Sequence, residues 1–326
     1  MRTNFLCFSC NVLCGLRMTR RVFAISDLHV DHPENLKWVE NWSESYENDI
    51  LIVAGDVTDS LPLLKSTLLM LKKKFDTVFY VPGNHELWVR KESQRASANT
   101  GSMDSIKKFN EIITMCEVID VYTKPKRMTT GEGQDIIIVP LYSWYSTPEE
   151  DLDDSLYHCG PEPEDKEKMN KMWMDNHFCI WPKLDTSRSK YFAKLNEEHI
   201  KQYDVPVISF SHFLPRIDLV LPTKEEDEAV VKERQLLSLP EMKLQRQGAF
   251  PGFNFTRFAG CKVLETQIRQ LGSKVHVHGH QHRNRDRIVN NVRYVSHCLG
   301  YRMEREKGLM WGLCEWKGPK QVWPLS

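Results

Sequence analysis

Five short clusters concentrate the side chains that hold cations. Asp27-Leu28-His29, Gly55-Asp56 with Asp59 three residues on, Gly83-Asn84-His85-Glu86, His212, and Gly279-His280-Gln281-His282 supply carboxylate and amide oxygens and imidazole nitrogens, with no thiolate among them. Singly, each has an ordinary reading: Asp56 or Asp59 as a helix cap, Gly-Asn as a turn, the histidines as loop residues. Together they describe a concentration of carboxylates and imidazoles that is costly to bury unless opposite charge compensates it, and divalent cations are the compact compensation. Oxygen and nitrogen donors without sulfur suit manganese, iron or zinc and argue against an iron–sulfur cluster.

Such clusters act together only if the chain brings them to one place. Residues 22–26, 50–54 and 77–81 are apolar, β-rich runs separated by helical spacing at Leu36, Val39 and Trp42 and again over 61–74. A helix over 102–116, a strand over 136–139, a helix over 189–202 and a strand over 205–210 continue the alternation. The C-terminal part predicts a helix over 261–271 and strands over 275–277, 287–289, 292–296 and 309–316. This is the pattern of β-α-β units around buried sheet, an α/β fold. Each cluster follows the carboxyl end of a predicted strand, where open α/β sheets place ligand sites, so the five are expected on one rim.

Two stretches, about 142–190 and 216–258, break the rhythm with charged and Pro/Gly-rich sequence. They read as surface insertions on a single domain spanning 21–326, either one able to form a lid or a partner surface. Residues 1–20 read as a leader or a disordered N-terminus: Arg2 precedes an apolar run over 5–16, and Met18 offers an alternative start. A presequence would imply an organelle or secretion; otherwise the expected location is cytoplasmic.

The chain has 326 residues, 41% hydrophobic and 27% charged, which excludes disordered and fibrous classes. Lys plus Arg and Asp plus Glu are 44 each, so a large basic face for nucleic acid is not expected. No run approaches the roughly 20 apolar residues of a membrane-spanning helix. Of nine cysteines, Cys7 and Cys10 have CxxC spacing without a second pair, and the remainder read as thiols of a reducing compartment.

The five clusters, in this order and at these strand ends, resemble the calcineurin-like metallophosphoesterase superfamily over about residues 22–296, with both insertions unmatched. The resemblance implies a four-layer α/β/β/α sandwich and two divalent or mixed-valence metal ions, of manganese, iron or zinc. By position, it implies one metal on Asp27, His29, Asp56 and His282 and a second on Asp56, Asn84, His212 and His280, with Asp56 bridging. It assigns His85 as proton donor to the leaving oxygen and Asp59 as the carboxylate that orients it. The implied reaction is hydrolysis of a phosphate ester by a metal-bound hydroxide, with no phospho-enzyme. The substrate would be a small-molecule or phosphoprotein ester, monoester or diester. The superfamily also includes a non-catalytic protein-binding scaffold, but every ligand and proton-donor position is filled here, which favours an enzyme. Among further candidates, Arg216 reads as a phosphate contact or a loop salt bridge, and Trp144 and Tyr145 as pocket wall or core. His276 and His278 read as strand side chains, His297 as a strand end and His32 as a loop residue.

Overall fold

The computed structural model describes residues 20–42, 45–90, 102–159, 165–240, 253–310, 312 and 318–325. Strands β1 (Val22–Ile25), β2 (Ile50–Ala54) and β3 (Thr77–Val81) run parallel. The second sheet holds β4 (Lys126–Thr129), β5 (Asp135–Pro140), β6 (Val207–Phe210), β7 (Val275–His278), β8 (Arg285–Val289) and β9 (Val292–Ser296). Its order is β4-β5-β6-β7-β9-β8, with β5, β6, β7 and β9 parallel and an antiparallel strand at each edge. A last strand, β10 (Lys320–Trp323), returns antiparallel to β1 and makes the first sheet β10-β1-β2-β3.

The continuous apolar runs are explained by burial on both faces. Val22, Ala24, Ile50, Ile52, Phe79 and Val81 face Ile136, Ile138, Ile208, Phe210, Val275 and Val277 of the other sheet. The alternate residues Phe23, Ile25, Leu51, Val53, Val78 and Tyr80 pack on Leu64, Leu68 and Leu71 of the helix Leu61–Lys74 and on Ile112 and Cys116 of the helix Ser105–Val118. Beyond the second sheet, Val139, Val207 and Tyr294 meet Leu264, Ile268 and Leu271 of the helix Lys262–Leu271. The order is helix, sheet, sheet, helix, as the resemblance implied.

Some boundaries differ from the periodicity. The strand expected from residue 205 begins at Val207, because Pro206 has no N–H for the ladder and serves only as an acceptor for Ile137 N. The helix expected to reach residue 202 stops at Asn196 and tightens into a 3-10 turn, Glu197–His199. Leu309 and Met310 form no strand, residues 311 and 313–317 lie outside the described residues, and the C-terminal strand is β10 instead. The N-terminal leader and its CxxC also lie outside them.

The two insertions pack against each other. Trp173 of the first stacks on Phe258 of the second, with centroids 4.5 Å apart and planes 10° apart, and Asn254 Nδ2 donates to His158 O at 2.8 Å. Arg257 pairs with Glu149 at the same seam. No helix among the described residues is long and apolar enough to cross a membrane.

Candidate metal centre

Strands β1, β2, β3, β6 and β7 deliver their following loops to one rim. Directly past the strand ends, Asp27, His29, Asp56, His280 and His282 all have positive φ, between 42° and 73°, five of the nine such non-glycine residues among those described. A left-handed residue turns the chain at once and swings its side chain inward, at about 1–3 kcal/mol of backbone strain that surrounding contacts must hold. Those contacts are present: Asp27 N donates to Gly55 O at 2.9 Å, His29 N to Asp56 O at 3.1 Å, and Gly279 N to His212 O at 2.9 Å. Gly83 and Gly279 allow the loops to close up, since a Cβ on Gly83 would lie 2.2 Å from Asp56 Oδ1 and one on Gly279 2.7 Å from Asp27 Oδ2.

The seven residues assigned to metal binding are all buried. Ligand atoms of Asp27, His29, Asp56 and His282 lie within 4.8 Å of one another, as do those of Asp56, His212 and His280. Asp56 is common to both groups. Asn84 joins the second, its Oδ1 3.2 Å from His212 Nε2. His29 Nε2 faces His282 Nε2 at 3.0 Å, His282 Nε2 is 3.3 Å from Asp27 Oδ1, and His212 Nε2 is 3.3 Å from Asp56 Oδ2. Ligands about 2.0–2.2 Å from a shared cation stand at such spacings.

Outward nitrogens are pinned, which decides what faces inward. His212 Nδ1 meets Ala54 O at 2.9 Å, His280 Nε2 meets Phe258 O at 2.9 Å, and His282 Nδ1 meets Glu304 Oε2 at 2.6 Å. Each acceptor holds the N–H on the outer nitrogen and leaves the inner one with its lone pair for a cation. Donor types, spacing and tautomers therefore fit a pair of hard-to-borderline divalent ions.

The electrostatics match. Burial opposes charge on Asp27, but His282 and then His212 outweigh it and hold the carboxyl down to about 2. Asp56 is likewise held well below the usual range, burial being outweighed by His212 and His85. Burial also opposes charge on His212, yet Asp56 pushes it up to about 9; burial, with His212 beside it, pushes His280 down to about 3.

His85 lies at the more open side of the site, its side chain 16% exposed and its Nε2 3.9 Å from Asp56 Oδ2. Its ring rests on Trp88 at a centroid distance of 3.7 Å, with His29 4.6 Å away. Asp59, the carboxylate expected to orient it, accepts from Arg90 Nε at 2.5 Å, and the Arg90 guanidinium lies over Phe178. Arg216 takes the salt-bridge reading: its guanidinium binds Asp218 at 2.7 Å and Glu265 at 2.9 Å. Trp144 and Tyr145 are buried in an aromatic core. Among the other histidines, His276 bonds Ser209 and Ser211, His278 is buried in β7, His297 meets Gly318 O, and His32 lies beside Asp31.

Three carboxylates, Glu86 and Asp175 buried and Glu304 half-buried, add to the site beyond those expected. Glu86 accepts from the backbone N–H groups of Asp56, Val57, Thr58 and Gly83, clamping the loops after β2 and β3 together; its place in Gly83-Asn84-His85-Glu86 was a signal that could have found it. Burial and the Asp56 charge push its carboxyl up to about 7, against the bonds from Gly83 and Val57 and the charge of His212. Glu304, behind His282, and Asp175, behind Asn84, come from distant segments that carry no local signal.

A two-sheet sandwich with carboxylates and imidazoles converging past its parallel strands defines the metallophosphoesterase class. The family model described as calcineurin-like phosphoesterase matches residues 20–216, and the chain belongs to that family. The match ends before His280 and His282, which the fold returns to the same rim. The acyl-carrier-protein phosphodiesterase PptH of Mycobacterium tuberculosis is 34% identical over 128 residues, a stretch that spans 38% of this chain and 37% of that protein. The crystal structure of the phosphopantetheinyl hydrolase PptH from Mycobacterium tuberculosis superposes with a TM-score of 0.66 at 22% identity, covering 95% of this chain and 98% of that one, a likeness of fold.

Proposed function

We propose that the protein is a dinuclear metal-dependent phosphoesterase acting on a phosphodiester, and that its substrate is a carrier protein bearing a phosphopantetheinyl group. The reading is carried by Asp56, a buried carboxylate shared by two groups of ligand atoms, each within 4.8 Å. Asp27, His29, Asp56 and His282 would hold one ion, and Asp56, Asn84, His212 and His280 the other. When bound, the ions supply Lewis-acid activation of water and neutralise phosphoryl oxygens. Asn84 is uncharged, so the ligand set leaves the pair net cationic and attractive to an anionic ester. The bonds to Ala54 O, Phe258 O and Glu304 keep three imidazoles turned inward. Water adds to phosphorus as the bond to the leaving oxygen breaks, and His85, at the open side, gives that oxygen its proton. The diester and carrier-protein parts of the reading draw support from the acyl-carrier-protein phosphodiesterase PptH that the chain resembles.

The test is hydrolysis with Mn, Zn, Fe or Mg of an aryl phosphomonoester, an aryl phosphodiester and a phosphopantetheinylated carrier protein, beside Asp56→Asn. Metal-dependent turnover of both diesters, lost in the variant, is expected. Preference for the monoester would refute the diester assignment, and no turnover with two metals bound would refute the enzymatic reading.

A further inference from the structure

We propose that Asp175, carried on the first insertion, is a positioning residue that sets the orientation of the Asn84 amide and the seat of His85. The inference rests on the metal-pair reading above and adds a residue from outside the matching motifs. Asp175 is buried, 3% exposed, at the start of the short helix Asp175–Phe178. One oxygen, Oδ1, accepts from both Asn84 Nδ2 at 2.9 Å and Trp88 Nε1 at 2.7 Å; the other accepts from Trp173 Nε1 at 3.0 Å.

The chemistry of an amide makes the first bond directional. Asn84 has an oxygen end that can ligate a cation and an N–H2 end that repels one, and the two ends are otherwise nearly the same shape. Asp175 Oδ1 accepts from the N–H2 end and leaves Asn84 Oδ1 facing His212 Nε2, 3.2 Å away. The second bond fixes the indole of Trp88, the plate on which the His85 ring lies. One oxygen atom therefore holds a ligand of the second metal and the support of the proton donor. Asp175 is itself anchored: Val89 N donates to Phe178 O and Ser105 N to Ile180 O, each at 2.8 Å, while Trp173 stacks on Phe258.

The test compares Asp175→Ala with Asp175→Asn, which keeps one oxygen able to face Asn84 and Trp88 and turns its amide nitrogen toward Trp173. Calorimetric titration of Mn²⁺ into metal-free protein reads the two sites, and the ratio of alkyl-diester to aryl-diester turnover reads proton donation, since only a poor leaving group needs the acid. In Asp175→Ala one of the two sites, the one that includes Asn84, is expected to lose about 10–100-fold in affinity, the other to hold within a few-fold, and the alkyl/aryl ratio to fall. Asp175→Asn is expected to retain most of both. Should Asp175→Ala fail to fold, Trp88→Phe leaves an aromatic face under His85 while removing the N–H together with part of the indole, and is expected to lower the alkyl/aryl ratio with Mn²⁺ affinity unchanged. Unchanged affinity and ratio in a folded Asp175→Ala, or equal weakening of both sites with a lowered melting temperature, would overturn the proposal alone. Fewer than two sites in the unaltered protein would overturn the metal-pair reading and this proposal with it.

Discussion

Gly83→Ala adds one methyl group to a residue with no chemical role, and so isolates the geometry of the rim. Gly83 is not among the glycines with positive φ, so alanine is conformationally allowed and any effect arises from contact. The new Cβ would lie 2.2 Å from Asp56 Oδ1, 2.8 Å from Asp56 N and 2.9 Å from Asp56 Cγ. Ordinary contact requires roughly 1 Å of relief. No flexible side-chain end takes the strain: Asp56 N is bonded to Glu86, and Asp56 Oδ1 accepts from His85 N at 3.0 Å. The movement is therefore shared by Asp56 and His85, the residues proposed as bridging carboxylate and proton donor. Overpacking of this kind costs about 1–3 kcal/mol, and a displacement of about 1 Å at reacting groups costs on the order of 10²-fold in rate. Turnover of an aryl diester at saturating Mn²⁺, elemental metal content and a thermal melt should show a modestly lowered melting point, depleted metal and a rate down about 100-fold. A Gly83→Ala protein with two metals and unaltered turnover would refute the argument that Asp56 is fixed by close approach of the two loops.

His85→Ala should slow turnover about 10²–10⁴-fold with metal content unchanged, and unchanged turnover of an alkyl diester would contradict its acid role. Glu86→Gln turns an N–H2 group toward two of the four backbone N–H donors, so denaturant unfolding should show a loss of about 2–5 kcal/mol; a loss below about 1 kcal/mol would contradict the clamp. Because Asp56 raises the His212 pKa to about 9, the ring must shed a proton to ligate. Metal uptake at pH 7 should therefore release at least one proton, and affinity should fall at least about tenfold per pH unit as pH drops below 9. Calorimetry in buffers of different ionisation enthalpy measures the release, and an affinity constant from pH 6 to 8 would count against it.

The parts of the site legible in the sequence are those determined locally. Asp27, Asp56 and Asn84 each follow a run such as Ile50–Ala54 whose burial on both faces makes it largely apolar, so strand end and candidate ligand are read in one stroke. Partners that arrive from afar are a different matter. Asp59 meets Arg90, Arg216 meets Glu265, and His282 leans on Glu304, pairings decided by which side chains the tertiary fold brings near and marked by no periodicity. The insertions are the extreme case: their charged surface gives no apolar rhythm, yet Asp175 reaches the Asn84 amide and Trp173 and Phe258 stack between them. β10 was missed because a four-residue strand at the edge of a sheet carries too little pattern to stand out.

The pairing of β1 with β10 also dictates a schedule. His29 and His282 touch across 253 residues, and Val22 waits for Trp323 to complete its ladder. At about 5–20 residues per second, Asp27 and His29 precede His282 by roughly 13 to 50 s of synthesis. During that interval Asp27 lacks its His282 partner and β1 presents an apolar edge with nothing beside it on the β10 side. A ligand set that includes His282 is complete only once that residue has been made, and any break that removes Lys320–Trp323 leaves β1 as an exposed edge again.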